Sequence, residues 1–277
     1  MSGPATIIVL LLMVYPLANL AWMSLHDFRG SLTTYSWVGL EWYQTLPSDP
    51  RFMNGLGRTL LYSGVAVVAS LVLGMVMAFI MNRNFPGVTL VRTVFILPMV
   101  SMPVASALMW GTLFNPNQGV LNFLIESLGW QRSLWLASPR TALLSIVIVE
   151  VWMGAPFVML IVLAGLKSMP IEPVEAAQID GASRLQMFFF VVMPMLRSAI
   201  ATAILFQLID TLKQFPLIWV LTQGGPLRST ETLYVYGYNL AFQSFDMGYG
   251  AAVLMALLVL VLFISALWIQ VRERSWV

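Results

Sequence analysis

Residues 59–82 read TLLYSGVAVVASLVLGMVMAFIMN, 24 residues without a charge between Arg58 and Arg83. At about 1.5 Å of rise per residue, a helix of this length crosses the roughly 30 Å of hydrocarbon in a bilayer, which takes about 20 apolar residues. Working outward, the same test finds three more charge-free windows, 1–25, 93–125 and 247–271, of 25, 33 and 25 residues. Two further apolar windows are interrupted, 141–166 by Glu150 and 198–221 by Asp210 and Lys213. A charge near the bilayer centre costs about 3 kcal/mol or more, so the gaps between charges locate spans better than helix propensity does. They predict an all-α polytopic membrane protein with six transmembrane helices, at about 5–25, 59–81, 93–114, 141–166, 197–221 and 248–270. Strand content should be negligible, because lipid admits only helices or closed barrels and these runs are too long for barrel strands.

Composition points the same way. The 277 residues are 59% hydrophobic and 9% charged, with a mean hydropathy of +0.85. A soluble domain of this length carries roughly 69 charged residues, at about 25%, against 14 Lys and Arg and 12 Asp and Glu here. So few cannot build a water-facing surface, which excludes a soluble enzyme, a nucleic-acid binder and a disordered scaffold. With no cysteine and one histidine, disulfides, thiolate sites and multi-histidine metal sites are excluded, and no metal or catalytic residue is expected in this chain. That histidine, His26, reads as a solvated loop residue at the outer mouth of the first span. The first span is too long, and lacks the preceding positive charge, for a cleavable signal. The lack of Lys or Arg before Arg29 is unusual for a cytoplasmic N-terminus and points to a missing native tail. No internal repeat is visible, which gives no support to an inverted-repeat transporter.

Charge does not orient the chain. One side would hold Arg83, Arg92, Lys167, Arg184, Arg197, Arg272 and Arg274; the other Arg29, Arg51, Arg58, Arg132, Arg140, Lys213 and Arg228. The positive-inside rule is left with a tie.

The segment 167–196 reads instead as an amphipathic, water-exposed helical hairpin. Pro170 and Pro173 suit a first helical turn, and Glu172 and Glu175 sit where the helix dipole favours anions. Gly181 fits a left-handed stop after Asp180, and Ser183 with Gln186 has the spacing of a capping box that opens a second helix leading into the fifth span. Ala176, Ala177, Gly181 and Ala182 leave little bulk at the bend, so a partner's backbone could approach it closely. From composition alone, a hairpin that merely connects two spans at the membrane interface fits equally well.

Glu175-Ala176-Ala177, then Asp180-Gly181-Ala182, the Phe188-Phe189 pair and Pro194 resemble the EAA loop of permease subunits of ABC importers, in order and spacing. Two other stretches are similar to the carbohydrate branch of that family, the maltose-type and glycerol-phosphate-type permeases. One is Leu113-Phe114-Asn115-Pro116-Asn117-Gln118-Gly119 with Asn122. The other is Leu221-Thr222-Gln223-Gly224-Gly225-Pro226 with Thr230-Glu231-Thr232, Tyr238 and Phe242. With Tyr15-Pro16 and Ser24-Leu25, the likeness runs over almost the whole chain. It departs from the maltose-type permease in having no large outer-loop insert and no extra N-terminal helices.

The resemblance implies a single transmembrane permease domain over 1–277, in the cell (inner) membrane with both termini cytoplasmic. Segment 167–196 would be its cytoplasmic EAA loop, between the fourth and fifth helices, with Glu175, Ala176, Ala177, Asp180, Gly181, Ala182 and Ser183 contacting an ATPase subunit. The implied partners are an ABC ATPase dimer, a second permease subunit that is a sister chain, and an extracytoplasmic solute-binding protein. The substrate would be a sugar or related polyol, moved by alternating access. ATP and Mg would be bound by the ATPase, because the only lysines, Lys167 and Lys213, follow leucines and cannot complete a phosphate-binding Gly-Lys step. Asp180 has a second reading, as a cap for backbone donors at the bend.

The substrate path is read from intramembrane polar residues. Glu150, beside Trp152, either lines a polar path or makes an inter-helix hydrogen bond. Asp210 and Lys213 either neutralise each other at i, i+3 or, with Gln207 and Gln214, present donors and acceptors to a polar solute. Trp110, Trp152, Phe157 and Trp219 offer ring faces suited to sugar C–H surfaces or serve as packing. Gly154-Ala155-Pro156, Pro98 and Pro103 should kink or loosen their helices. An ion-coupled secondary transporter or channel using Glu150, Asp210 and Lys213 is the alternative.

Overall fold

The computed structural model describes residues 3–28 and 34–274; Arg29 lies outside them. The chain is helical almost throughout. An apolar helix α1, Gly3–Met23, leads into a two-residue antiparallel ladder of His26–Asp27 against Ser36–Trp37, then a short α2, Glu41–Thr45. The 32-residue α3, Pro50–Met81, follows. It starts nine residues before the charge-free window because Asp49 caps it, accepting from the Arg51 N–H at 2.8 Å, and Pro50 occupies the first turn where no amide is needed.

The third expected span, 93–114, is not one helix. It is α4, Val88–Val100, and α5, Pro103–Leu113, bent by 100° at Ser101–Met102. Pro103 disfavours the helical conformation at the residue before it; Met102 lies at φ −65°, ψ 132°, and Ser101 is extended too. The Ser101 hydroxyl ties the corner, bonding to the Pro98 carbonyl at 2.6 Å and meeting Ser106 Oγ at 2.7 Å. After a short α6, Val120–Ser127, comes α7, Ala142–Ser168, the central helix, which contains Glu150.

Next are α8, Glu172–Ile179, and α9, Arg184–Met187, which runs through a π-helical turn, Phe188–Val192, into α10, Met193–Leu212. Pro194 therefore sits inside the continuous helix that leads from the hairpin into the fifth span. The expected span 197–221 is interrupted at Lys213–Phe215; a separate α11, Pro216–Thr222, starts at its own proline. α12, Leu233–Tyr238, and α13, Met247–Arg274, are the last helices among the described residues.

By length and composition, Pro50–Met81, Ala142–Ser168, Arg184–Leu212 and Met247–Arg272 can each cross a bilayer, and the bent pair α4–α5 makes up to five crossings. α3 packs along α7, with α10 against both. Small residues bring these axes together, as expected where lipid supplies no hydrophobic drive between helices. A Cβ on Gly74 of α3 would lie 2.6 Å from Val158 Cβ and 2.7 Å from the Ala155 carbonyl, and one on Gly165 of α7 would lie 2.9 Å from Ala199 Cβ.

His26 is not a solvated loop residue. It is only 6% exposed, its Nδ1 lies 2.7 Å from the Trp22 carbonyl, and its ring sits among Trp22, Tyr35 and Trp37. The sequence reading missed this because the enclosing rings come from α1 and from residues 35–37, at and just before the second strand of the ladder. Gly248 of α13 also lets the His26 carbonyl approach, where a Cβ would lie 2.0 Å from that oxygen.

Candidate functional site

Both helix interruptions border one cavity of about 630 Å³, between α4–α5, α7 and α10–α11. Glu150, Gln207, Asp210, Lys213 and Gln214 all line it, with Ser101, Phe157, Phe206 and Tyr234. Its volume is within the range usual for small-molecule sites, about 300–1,000 Å³.

Glu150 is 2% exposed. Its Oε2 accepts from the Tyr62 hydroxyl and from Gln214 Nε2, each at 2.9 Å. Glu150 therefore makes the inter-helix hydrogen bond, to Tyr62 of α3, while bordering the cavity. Gln214 sits in the gap after α10, and its Oε1 is 3.5 Å from the Leu217 N–H at the start of α11. Gln207, 4% exposed, directs an Nε2 with no hydrogen-bond partner at the α7 wall. Gly154 makes room there, since a Cβ would lie 2.3 Å from that nitrogen.

Asp210 and Lys213 stand 3.7 Å apart, and both are well exposed. Open on the cavity, such a pair contributes little to stability and stays available to solvent or solute. Trp152 does not line the cavity; it packs edge-on against Trp110 with ring centroids 5.6 Å apart. Tyr62, Ser101, Phe206 and Tyr234 were not singled out from the sequence. Tyr62 had a usable signal, a phenol within a charge-free span that must find a partner when buried.

A second polar group pins the end of the molecule at the start of α3. Arg51 donates to Glu231 through Nε at 2.8 Å and Nη2 at 2.5 Å, and Asn239 Nδ2 donates to the same carboxylate at 3.0 Å. Asp49 accepts from the Tyr236 and Tyr249 hydroxyls at 2.6 and 2.7 Å. Burial pushes the Glu231 carboxyl up, but the Arg51 bonds and charge, with Asn239, hold it below the ordinary glutamate value. Burial likewise opposes ionisation of Asp49, and the two tyrosines and the Arg51 and Phe52 amides outweigh it, leaving Asp49 lowered.

At the other end, α8 and α9 form the hairpin. The Ala182 N–H bonds to the Ala177 carbonyl at 3.0 Å and the Gly181 N–H to the Gln178 carbonyl at 3.1 Å, with Gly181 at φ +80°. This pattern closes a helix with glycine in the left-handed position. The Ser183 hydroxyl accepts from the Gln186 N–H, and Gln186 Oε1 accepts from the Ser183 N–H. Glu175, Ala176, Asp180, Gly181 and Ser183 are exposed, Ala177 and Ala182 half-buried, and no residue of α8 or α9 is buried. The Asp180 carboxylate caps none of the bend's donors; α8 closes through backbone bonds, and the side chains of Ser183 and Gln186 open α9.

The family of binding-protein-dependent transport system inner membrane components matches residues 70–272. The trehalose/maltose transport system permease protein MalF of Thermococcus litoralis is 32% identical over 268 residues, 97% of this chain and 90% of that one. The sulfoquinovosyl glycerol transport system permease protein of Agrobacterium fabrum is 31% identical over 273 residues, 97% and 88%. Among solved structures, a bacterial ABC transporter that imports the acidic polysaccharide alginate superposes with a TM-score of 0.83 at 25% identity, covering 98% of this chain and 93% of its own.

Proposed function

We propose how this chain, which belongs to the family of binding-protein-dependent transport system inner membrane components, serves as a permease subunit of a sugar ABC importer. It crosses the membrane six times, through α1, α3, the bent α4–α5 pair, α7, α9–α10 and α13. The 21 residues of α1 are long enough, at about 1.5 Å each, to match the hydrocarbon thickness. Six crossings put both termini on the same side as the α8–α9 hairpin, the cytoplasmic side of the inner membrane.

The observation that carries the reading is that hairpin. An eight-residue helix and a four-residue helix without a buried side chain contact little beyond each other and the π-helical turn that follows, and no atom lies within 4 Å of where a Cβ on Gly181 would stand. Such a knob does nothing for the fold's own core. It suits insertion into a cleft of an ATPase subunit, with Glu175, Ala176, Ala177, Asp180, Gly181, Ala182 and Ser183 at the contact.

ATP and Mg are bound and ATP is hydrolysed on the ATPase dimer. Its closure moves the hairpin, and the continuous helix from Arg184 to Leu212 carries that motion to Gln207, Asp210 and the break at Lys213. A solute-binding protein delivers the sugar at the opposite face. There Glu150, Gln207, Asp210, Lys213 and Gln214 exchange hydrogen bonds with its hydroxyls, and a second permease subunit closes the other side of the path. The relatives' substrates, trehalose/maltose and sulfoquinovosyl glycerol, are of the polyhydroxylated kind such a lining accommodates.

The test is reconstitution of the chain with its sister permease, ATPase and binding protein in vesicles. Glu175→Lys and Ala177→Trp should leave membrane insertion intact and reduce both ATPase co-purification and ATP-driven uptake by tenfold or more. Wild-type uptake and wild-type ATPase association in both variants would refute the assignment.

A further inference from the structure

Aromatic rings of α11 and α12 stand in file from the cavity toward the end of the bundle opposite the hairpin. Phe215 and Tyr234 line the cavity, their ring centroids 5.0 Å apart. Trp219, one turn along α11, lies 5.6 Å from Phe215 with its plane turned by only 18°. Tyr238, one turn along α12, lies 4.9 Å from Phe215 and 4.6 Å from Trp219. Phe242, in the π-helical turn Asn239–Gln243, follows 4.9 Å from Tyr238 and is 57% exposed. The direction follows from α13, whose last turns bond to the hairpin end of α10, Trp268 to the Ala201 carbonyl and Arg272 to Ser198. α12 runs against α13: a Cβ on Gly237 would lie 2.7 Å from Leu254, and one on Gly250 would lie 2.9 Å from the Ala241 amide nitrogen. Phe242 therefore stands at the end away from the hairpin.

The file is not core packing. Phe215, Trp219, Tyr234 and Tyr238 are half-buried and Phe242 is exposed. The Tyr234 and Tyr238 hydroxyls and the Trp219 indole N–H have no hydrogen-bond partner among the described residues, and none of the three is shut away from solvent. The other described tyrosines that are not exposed, Tyr43, Tyr62, Tyr236 and Tyr249, each donate to a side chain. Nor is the file an interfacial belt, in which Trp and Tyr gather at the depth of the headgroups. It starts on the cavity wall and climbs, the stretch from Tyr234 to Phe242 covering about 12 Å at 1.5 Å per residue.

We propose that Phe215, Trp219, Tyr234, Tyr238 and Phe242 form an entry track that binds pyranosides and hands them to the cavity, a proposal that rests on reading the cavity as the sugar path. A pyranose has an apolar C–H face and a rim of hydroxyls. The ring faces take the first, and the free phenols and indole N–H take the second. Aromatic side chains have few rotatable bonds, so ordering them on a ligand costs little entropy. With neighbouring rings 4.6 to 5.6 Å apart, a sugar keeps contact with one ring while it meets the next. Continuity with the cavity selects this occupant, and so do the free donors. An acyl chain or an apolar helix laid on the same rings would leave three donors without acceptors, which costs free energy.

The membrane complex of both permeases and the ATPase is labelled with fluorotryptophan, and the Trp219 fluorine resonance is identified by its loss in Trp219→Phe. Maltose is the probe, because ring faces contact any pyranose, and sorbitol, with hydroxyls but no sugar ring, is the comparison. Maltose should shift the Trp219 resonance and sorbitol should not. Tyr238→Leu should raise the maltose concentration at half-shift about fivefold. Phe242→Leu, at an exposed site where losing the ring does not unsettle the core, should raise it too, whereas Phe245→Leu, an exposed ring outside the file, should leave it unchanged. A shift as large with sorbitol as with maltose would overturn the proposal. So would a Trp219 resonance silent to maltose, whether broadened by spin-labelled lipid, as when the file faces the bilayer, or silent to both, as when the second permease covers it. Radiolabelled maltose retained by the complex with Trp219 silent would overturn the track alone; maltose neither retained nor sensed would count against the cavity reading as well.

Discussion

Removing Arg51 should damage the protein more than removing its partner's charge, although both changes break the same ion pair. Glu231 is 2% exposed and keeps only the Asn239 bond at 3.0 Å once Arg51 is gone. Arg51→Met therefore leaves a buried carboxylate with no ion-pair partner in contact and only the charge of Arg228 farther off, and breaking a buried pair in this way costs about 3–5 kcal/mol. Glu231→Gln leaves a guanidinium that is 26% exposed and lies 4.5 Å from the centre of the Tyr236 ring. It can hydrate and keep its ring contact, so the loss should be nearer about 1.5 kcal/mol, the low end for hydrogen bonds to charged groups. Replacing both residues by apolar ones, Arg51→Met/Glu231→Leu, removes the stranded charge and should recover half or more of the single Arg51→Met loss. Unfolding of the purified chain by SDS titration in mixed micelles, followed by far-ultraviolet circular dichroism, gives the three differences. Glu231→Gln as damaging as Arg51→Met, or a double variant that loses the sum of its singles, would refute the reasoning.

Two glycines of similar closeness should behave differently. Gly74→Ala drives its methyl into a backbone carbonyl and a β-branched side chain and should cost about 1–3 kcal/mol, read by the same titration. Gly154→Ala meets only the end of the Gln207 amide, so stability should change little while the half-saturation concentration for uptake rises; unchanged uptake would exclude Gln207 from the path. At Gly181, where a Cβ has open space but φ is +80°, asparagine should preserve ATP-driven uptake and valine should lower it, because only backbone strain separates them. The Glu231 carboxyl is held below its ordinary 4.5, so its interaction with Arg51 stabilises fully above that value and is lost as pH falls through the lower folded value. The stability gap between wild type and Glu231→Gln should thus be flat from pH 7 to 5 and narrow below about 4.5; narrowing already at pH 6 would contradict the sign.

The sequence located helices wherever hydrophobicity was the whole story. α3 and α13 cover their charge-free windows, and α7 the window interrupted by Glu150, to within one residue, because a bilayer constrains length and polarity so tightly. The hairpin was also legible, since Gly181, Ser183 and Gln186 act through bonds within a few residues of themselves. Reading 93–114 and 197–221 as single helices failed at Pro103 and Pro216. An apolar run shows that a segment is in the membrane and not that it is straight, and backbone freed at that depth is tolerated where it borders a cavity. Glu150, Gln207, Asp210, Lys213 and Gln214 converge as their isolated polarity suggested, whereas Trp152 satisfied the same criterion and packs on Trp110 instead. The Arg51–Glu231 pair joins residues 180 apart, and neither side chain's neighbours in sequence announce the other.

The corner at Ser101–Met102 and the gap at Lys213–Phe215 border the same cavity, and the segments beyond them, α5 and α11, pack on each other. At both places side chains stand in for the missing ladder bonds, Ser101 to the Pro98 carbonyl and Ser106 at the corner and Gln214 to Glu150 at the gap. A solute competing for Ser101 or Gln214 would therefore act where α4 meets α5 and α10 meets α11, while α3, α12 and α13 stay fastened to one another at Asp49 and Glu231.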